Sequence, residues 1–302
     1  MHFFIKESFL TKEGVYKINI FNKDTLKTKV FYEAEPFPNY HNDDNKYTIL
    51  KKGDGNYLAS KIKKIIGYNK KILEIGSGTC QLSVYFSIGT NNVIFALDSS
   101  YSSLEKGSQF AKKNNISNII FVNADLTDDI FSDNYFDFIW CNGVLHHTKE
   151  PYFGFTKILK KLKKNQYILI GLYNRYGRLR TIIRKYFYKL FGRKFLYIFD
   201  PYLRYLCKDF NKNQLRINAW INDQYHHPIE SLHDINECLL WFKNNKVKFI
   251  NCFPNLNDSI SENIFEKKLA PSFLQRFIIQ FLMIFSVQGS EGGLFIMIGQ
   301  KE

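Results

Sequence analysis

From Lys70 onward, short runs of β-forming residues alternate with helix-like stretches, and nothing else restricts the fold of this 302-residue chain so strongly. Strands joined through helices pair in parallel, because a crossover, unlike a hairpin, returns the chain in the same direction. The expected sheet strands are Lys71–Ile75, Asn92–Leu97, Asn118–Val122, Phe136–Cys141, Tyr167–Leu172, Val247–Phe253 and Leu294–Ile298. Most are unbroken Val/Ile/Leu/Phe runs, the pattern of strands covered on both faces. Helices are expected near Cys80–Ser87, Tyr101–Asn114, Phe153–Leu162 and His233–Lys243. The fold class is therefore α/β: a Rossmann-like, doubly wound, mostly parallel seven-stranded sheet.

Two regions fall outside this rhythm. Residues 1–55 read as an N-terminal cap, with a hairpin expected between Val15–Ile20 and Leu26–Tyr32, turning at Asn22–Asp24. Residues 56–302 form the main domain, with a helical insertion at 173–228 after the fifth strand. Within it, Leu179, Ile182, Ile183, Tyr186, Phe187 and Leu190 recur at helical period over Arg178–Arg193. Arg180, Arg184, Lys185 and Lys189 lie off that stripe, which predicts a lid rather than a nucleic-acid platform.

The chain carries a formal net charge of +14, and it is concentrated. Between Lys157 and Arg216, 17 Lys and Arg stand against only Asp200 and Asp209, a net +15. Such a run is either a solvated surface or the footprint of an anionic partner. The five cysteines are odd in number and form no C-x-x-C pair, so neither disulfides nor a metal site is expected, and a reducing cytoplasm suits them. The longest apolar stretch, Phe273–Val287, is interrupted and falls short of the roughly 20 residues of a membrane span. No signal peptide is read at the N-terminus.

The strongest chemical signal is Glu74-Ile75-Gly76-Ser77-Gly78-Thr79-Cys80-Gln81, where the first sheet strand turns into a helix. Glycines there let a ligand approach the backbone. A dinucleotide fingerprint would need a third glycine at Gln81, and an acid at Glu74 would repel a pyrophosphate. The acid suits a ligand bearing an ammonium and a sulfonium instead.

This pattern resembles motif I of the class I S-adenosylmethionine-dependent methyltransferases, of the ubiquinone/menaquinone-biosynthesis-like kind, with Cys80 where many members carry a third glycine. The resemblance continues through Asp98 at the end of the second strand, Asn123-Ala124-Asp125-Leu126 after the third, and Phe136–Gly143 at the fourth. It implies S-adenosyl-L-methionine as cofactor. Glu74, Gly76, Gly78, Asp98 and Asp125 would hold it, with Ser77, Gln81, Ser99, Leu126 and Asn142 beside them. Asp98 would accept from both ribose hydroxyls.

The family often places a histidine after the fourth strand. His147 matches that position, with His146 beside it, and either catalysis or plain packing would account for it. His226 and His227, with Asp223 and Tyr225, end the insertion and read as a substrate wall or as loop packing. Tyr40 and Tyr173 complete the expected substrate-binding residues. His233 is placed inside a helix, away from the site. The fourth-strand residues Asn142-Gly143-Val144-Leu145 do not resemble the N-P-P-Y of exocyclic-amine nucleic-acid methylation, and no Pro-Cys pair supports cytosine C5 chemistry.

The expected activity is thus methyl transfer to an O or N atom of a small or lipid-like metabolite, in the cytoplasm or peripherally at a membrane surface. The alternatives are an RNA methyltransferase using residues 157–216, or a non-enzymatic membrane-surface protein. The acceptor, the need for a base and the oligomeric state are not legible.

Overall fold

The computed structural model describes residues 7–18, 26, 29–30, 32–33, 36, 38–41, 43–256, 263–285 and 293–302, apart from the side chains of 211, 212 and 215. Nine strands form one sheet: β1 (Phe9–Leu10), β2 (Val15–Lys17), β3 (Lys71–Ile75), β4 (Val93–Asp98), β5 (Ile119–Asn123), β6 (Phe136–Asn142), β7 (Leu162–Tyr173), β8 (Val247–Phe253) and β9 (Leu294–Lys301). Their spatial order is β1-β2-β5-β4-β3-β6-β7-β9-β8. The seven expected strands are all present. The two extra ones come from the N-terminal region, where β2 pairs in parallel with β5 and β1 antiparallel with β2. Only β9 runs against its neighbours in the seven-stranded part.

The helices are α1 (Lys46–Asp54), α2 (Tyr57–Ile66), α3 (Gln81–Ser87), α4 (Tyr101–Lys113), α5 (Pro151–Lys161), α6 (Leu179–Phe191), α7 (Arg193–Phe199), α8 (Pro201–Leu206), α9 (Phe210–Ile221), α10 (Ile235–Asn244) and α11 (Phe273–Leu282). Successive strand residues serve opposite cores, as a pleat buried on both faces requires. Phe95 and Leu97 pack with Phe155, Trp241 and Phe242 of α5 and α10, whereas Ile94 and Ala96 pack with Ala59, Val84 and Leu104 of α2, α3 and α4.

Three sequence expectations change. The hairpin does not form with Leu26–Tyr32 as its second arm. Leu26, Lys29, Val30, Tyr32 and Glu33 are helical, and β2 pairs with β1 and β5 instead, an already aligned sheet edge. The turn at Asn22–Asp24 lies outside the described residues. His233 precedes α10 rather than lying within it, bridging Asn174 just past β7. Finally, the stripe on α6 does not turn inward: Leu179 to Leu190 of that stripe are 37–63% exposed, and Thr181 is the buried residue of the helix.

The helices around residues 193–225 have a core of their own, built from Leu196, Leu203, Leu206, Ile217, Trp220, Ile221 and Tyr225. Buried Asp200 ties it together. Its carboxylate caps α8 through Tyr202 N and Leu203 N, and accepts from Trp220 Nε1 (3.0 Å) and Tyr225 Oη (2.7 Å). Arg184 supplies the countercharge at 3.5 Å.

Candidate active site

The strand order reverses at β3, whose neighbours are β4 on one side and β6 on the other. Open α/β sheets leave a crevice at the carboxyl ends of the strands at such a point. Here it is a cavity of about 560 Å³ lined from the ends of β3, β4, β5, β6 and β7, a volume suited to a cofactor-sized molecule.

The floor is the turn after β3. Gly76 (φ 66°) and Gly78 (φ 51°) are both left-handed, and a Cβ on Gly76 would lie 2.3 Å from Val144 Cγ2. Cys80 is left-handed too (φ 65°), although it carries a side chain. Its room comes from Gly107 of α4, where a Cβ would meet Cys80 Sγ at 2.7 Å. The glycine absent from the turn is thus matched by one on the facing helix.

Asp98 ends β4 and is held by the loops it joins. Gly78 N donates to its Oδ2 (2.7 Å) and Ser100 N to its Oδ1 (2.8 Å). Each oxygen keeps a lone pair for a further donor. Burial pushes Asp98 up to about 6, against the pull of the Ser100 and Gly78 amides. Glu74, which accepts a hydrogen bond from Ser83 Oγ, is pushed up to about 8 by burial. Asp125 accepts from Thr127 N and Thr127 Oγ1, both at 2.6 Å. Ser77, Gln81, Ser99, Leu126 and Asn142 also line the cavity. Asn142 Oδ1 is buried without a hydrogen-bond partner, facing Gly171, where a Cβ would be only 1.7 Å away.

The opposite wall carries His147, Tyr173, Asp223 and Ile229. His147 Nδ1 lies 2.8 Å from Ile229 O, a carbonyl that can only accept, so the proton sits on Nδ1 and the lone pair on Nε2. Burial holds this imidazole down at about 4, so it is neutral throughout the physiological range. Asp223 accepts from Tyr32 Oη (2.7 Å) and from Gln224 Nε2 (2.8 Å). Gln224 Nε2 also donates to Tyr173 Oη (3.0 Å), and the Arg178 guanidinium lies 3.8 Å over the Tyr173 ring.

Five expected site residues fall outside the cavity. His146 is fully buried behind it, stacked on Tyr173 at 3.9 Å, its Nδ1 accepting from Tyr173 N. His227 stands behind His147, stacked at 3.6 Å, and burial lowers it to about 3. His226 is exposed on the outer side of the insertion and bonds Tyr188 Oη at 2.8 Å. Tyr225 is committed to Asp200 in the insertion's own core. Tyr40 stacks on Phe110 at 4.1 Å and donates to Thr79 O (2.7 Å), bracing the glycine turn from outside. In each case a neighbour distant in sequence claims the side chain.

The sequence did not single out Tyr32, Thr127, Val144, Phe153 or Ile229, which line the same space. Tyr32 entered the sequence reading as the end of an expected strand, and its reach to Asp223, 191 positions away, left no local signal. Next to it, Glu33 accepts from Tyr101 N and Ser102 N (2.8 Å each), at the positive end of α4. Tyr32→Phe should therefore raise the acceptor KM by about tenfold or more with cofactor affinity unchanged, since one charge-assisted bond at the cavity wall is worth about 1.5–3 kcal/mol. Steady-state kinetics would check this.

Residues 73–170 match a family model described as a methyltransferase domain. Residues 73–170 thus carry a methyltransferase domain. Over 143 residues the chain is 27% identical to a ubiquinone biosynthesis O-methyltransferase of Rickettsia akari, covering 45% of this chain and 56% of that relative. The chain thus spans little more than half of the curated relative it matches. Among solved structures, the geranyl diphosphate C-methyltransferase of Streptomyces coelicolor A3(2) aligns with a TM-score of 0.54 at 11% identity, over 94% of this chain and 100% of that one. A putative sarcosine dimethylglycine methyltransferase from Galdieria sulphuraria gives 0.50 at 12%, over 93% and 99%. These two likenesses show the fold.

The buried carboxyls fit a cationic cofactor in the methyltransferase domain. The Gly76 cradle leaves its backbone accessible, Asn142 Oδ1 awaits a donor, and Glu74 and Asp98 are both raised by burial, which a positive ligand would reverse. In the ligand-free protein, a raised Glu74 favours folding below its unfolded value of 4.5, and that contribution is lost as pH rises through about 8. The buried His147 and His227 act with the opposite sign below about pH 6.5, so the Glu74 contribution is read as a difference between two chains. Thermal unfolding of Glu74→Gln beside the wild type should show the variant losing less stability between pH 4.5 and 8, as should the wild type with a saturating cationic ligand.

Proposed function

We propose that the chain transfers a methyl group to a hydroxyl or amine of a small or lipid-like molecule. The observation that carries this reading is His147: it lines the cofactor-sized cavity, with its proton fixed on Nδ1 by Ile229 O and its lone pair on Nε2. Glu74, Asp98, Asp125 and the Gly76–Gly78 turn would hold the cofactor, with Ser77, Gln81, Ser99, Leu126 and Asn142 around it. The bound cofactor supplies an electrophilic methyl carbon on a cationic sulfur.

The chain's residues would then do three things. Asp98 anchors hydroxyls at one end of the cavity, and Glu74 favours the positive charge. Tyr173 and Asp223 orient the acceptor. His147 Nε2 takes the proton of the attacking O–H or N–H as the new bond to carbon forms and the carbon–sulfur bond breaks. Val144, Phe153 and Ile229 give the cavity an apolar lining beyond the cofactor residues, which supports a lipid-like molecule, as does the O-methyltransferase named for ubiquinone biosynthesis among the relatives. We infer that Tyr32, from the N-terminal region, and Asp223, from residues 173–228, together close the cavity.

The RNA reading receives less support. Of the basic run, Arg178 is buried against Glu230, Lys161 against Asp129 and Asp133, and Lys163 pairs with Asp137, so these cations are already spent. The test is calorimetry with S-adenosylhomocysteine, then transfer of labelled methyl to phenolic acceptors with and without an alkyl tail. Absence of cofactor binding by the wild-type chain would overturn the proposal. Labelling of RNA but of no small acceptor would redirect it.

A further inference from the structure

Helix α11 carries apolar side chains on both faces, and only Ile279 and, just past its end, Met283 enter the main core. Its polar Gln280 turns inward, where Oε1 accepts from Asn174 Nδ2 (3.1 Å) and Ile235 N (3.0 Å). Phe273, Leu274, Phe277, Ile278, Phe281 and Leu282 turn outward and are 36–75% exposed. Leu269 and Phe285 extend the stripe at 91% and 66%. The start of α6 adjoins it: Arg180 Nη1 donates to Phe285 O (3.2 Å), and a Cβ on Gly177 would lie 3.3 Å from Met283 Cε. Two neighbouring helices thus each present an apolar face to solvent. Continuous apolar surface of this kind marks an interaction site.

We propose that this face docks on an anionic lipid bilayer. Charge complementarity selects that occupant. Arg175, Lys189, Arg193 and Lys194 are exposed on or beside α6, within the segment of net charge +15. Long basic side chains can reach headgroups while the apolar stripe enters the acyl boundary. A second copy would bring the same positive charge against this one. RNA would engage the cations but leave the α11 stripe, which has Arg276 as its sole cation, in water. No helix among the described residues is long and apolar enough to cross a membrane, so α6 and α11 would lie in the interface plane. The surface adjoins the turn after β7, the strand that ends at Tyr173, and would bring the cavity close to lipid-borne acceptors. It stands apart from the cavity itself, so its failure would leave the methyl-transfer proposal untouched.

Flotation with vesicles of phosphatidylglycerol and phosphatidylcholine, compared with phosphatidylcholine alone, tests the proposal on the full chain. The wild-type chain is expected to float with the anionic vesicles, and less so as salt rises. Phe277→Ser with Phe281→Ser, and separately Ile183→Ser with Leu190→Ser, should each weaken vesicle binding by about tenfold or more. Both pairs are exposed, so melting temperature and S-adenosylhomocysteine affinity should stay at wild-type values. Failure of the wild-type chain to bind anionic vesicles would overturn the proposal, as would unchanged binding by both double variants. Salt-resistant dimers that these substitutions dissolve would assign the face to a second copy and overturn it equally.

Discussion

Asp98→Ala is expected to weaken S-adenosylhomocysteine binding by about 2–4 kcal/mol, well over tenfold, because two charge-assisted hydrogen bonds would be lost together. The geometry adds a second loss. Asp98 also fixes Gly78 N and Ser100 N, so alanine frees the turn on which the cofactor would rest. Asp98→Asn separates the two effects, since its amide oxygen can still accept from one backbone N–H while the charge is gone. Calorimetry on both variants, with unfolding monitored in parallel, is the measurement. Alanine binding as tightly as the wild type would show that Asp98 serves only the backbone.

The second large effect concerns turnover. His147→Gln should leave cofactor affinity unchanged and lower kcat by roughly 10²–10⁴, the usual worth of a positioned base. The pH profile sharpens this prediction. Burial depresses His147 to about 4, so kcat should lack the inflection near 6.5 that an ordinary histidine gives, its acid limb appearing only toward pH 4. His226→Gln is the control, being exposed and bonded to Tyr188 on the outer surface. His233 is unsuited to that task because it is buried against Trp241 and paired with Glu237 (2.9 Å). Full turnover by His147→Gln would make that imidazole structural. Asp223, the carboxylate on the same wall, would then be the next candidate.

Much of this protein was legible one residue at a time. The β3 and β8 boundaries coincide with the apolar runs that announced them, and β4, β5 and β6 differ by a residue at their ends. A strand buried on both faces leaves a contiguous apolar record, and a turn against a ligand leaves glycines, so β3, Gly76, Gly78 and the acids at strand ends were all visible. These features are local: each follows from a few neighbouring residues and the backbone between them.

Tertiary structure alone decided the rest, because it depended on partners distant in the chain. Adjacent His146 and His147 look alike in sequence. Yet Ile229 O turns one toward the cavity, while Tyr173 N and the Tyr173 ring hold the other behind it. Tyr225 belongs to Asp200 rather than to a substrate, and Tyr32 reaches Asp223 across 191 positions. Periodicity found the apolar stripes of α6 and the helical register of its charges, but a period carries no sign. Whether such a face turns to the core or to solvent depends on what else fills the core, and here Ile279, Met283 and the pairing of Gln280 with Asn174 and Ile235 N fix the inner side of α11 and leave its phenylalanines outside.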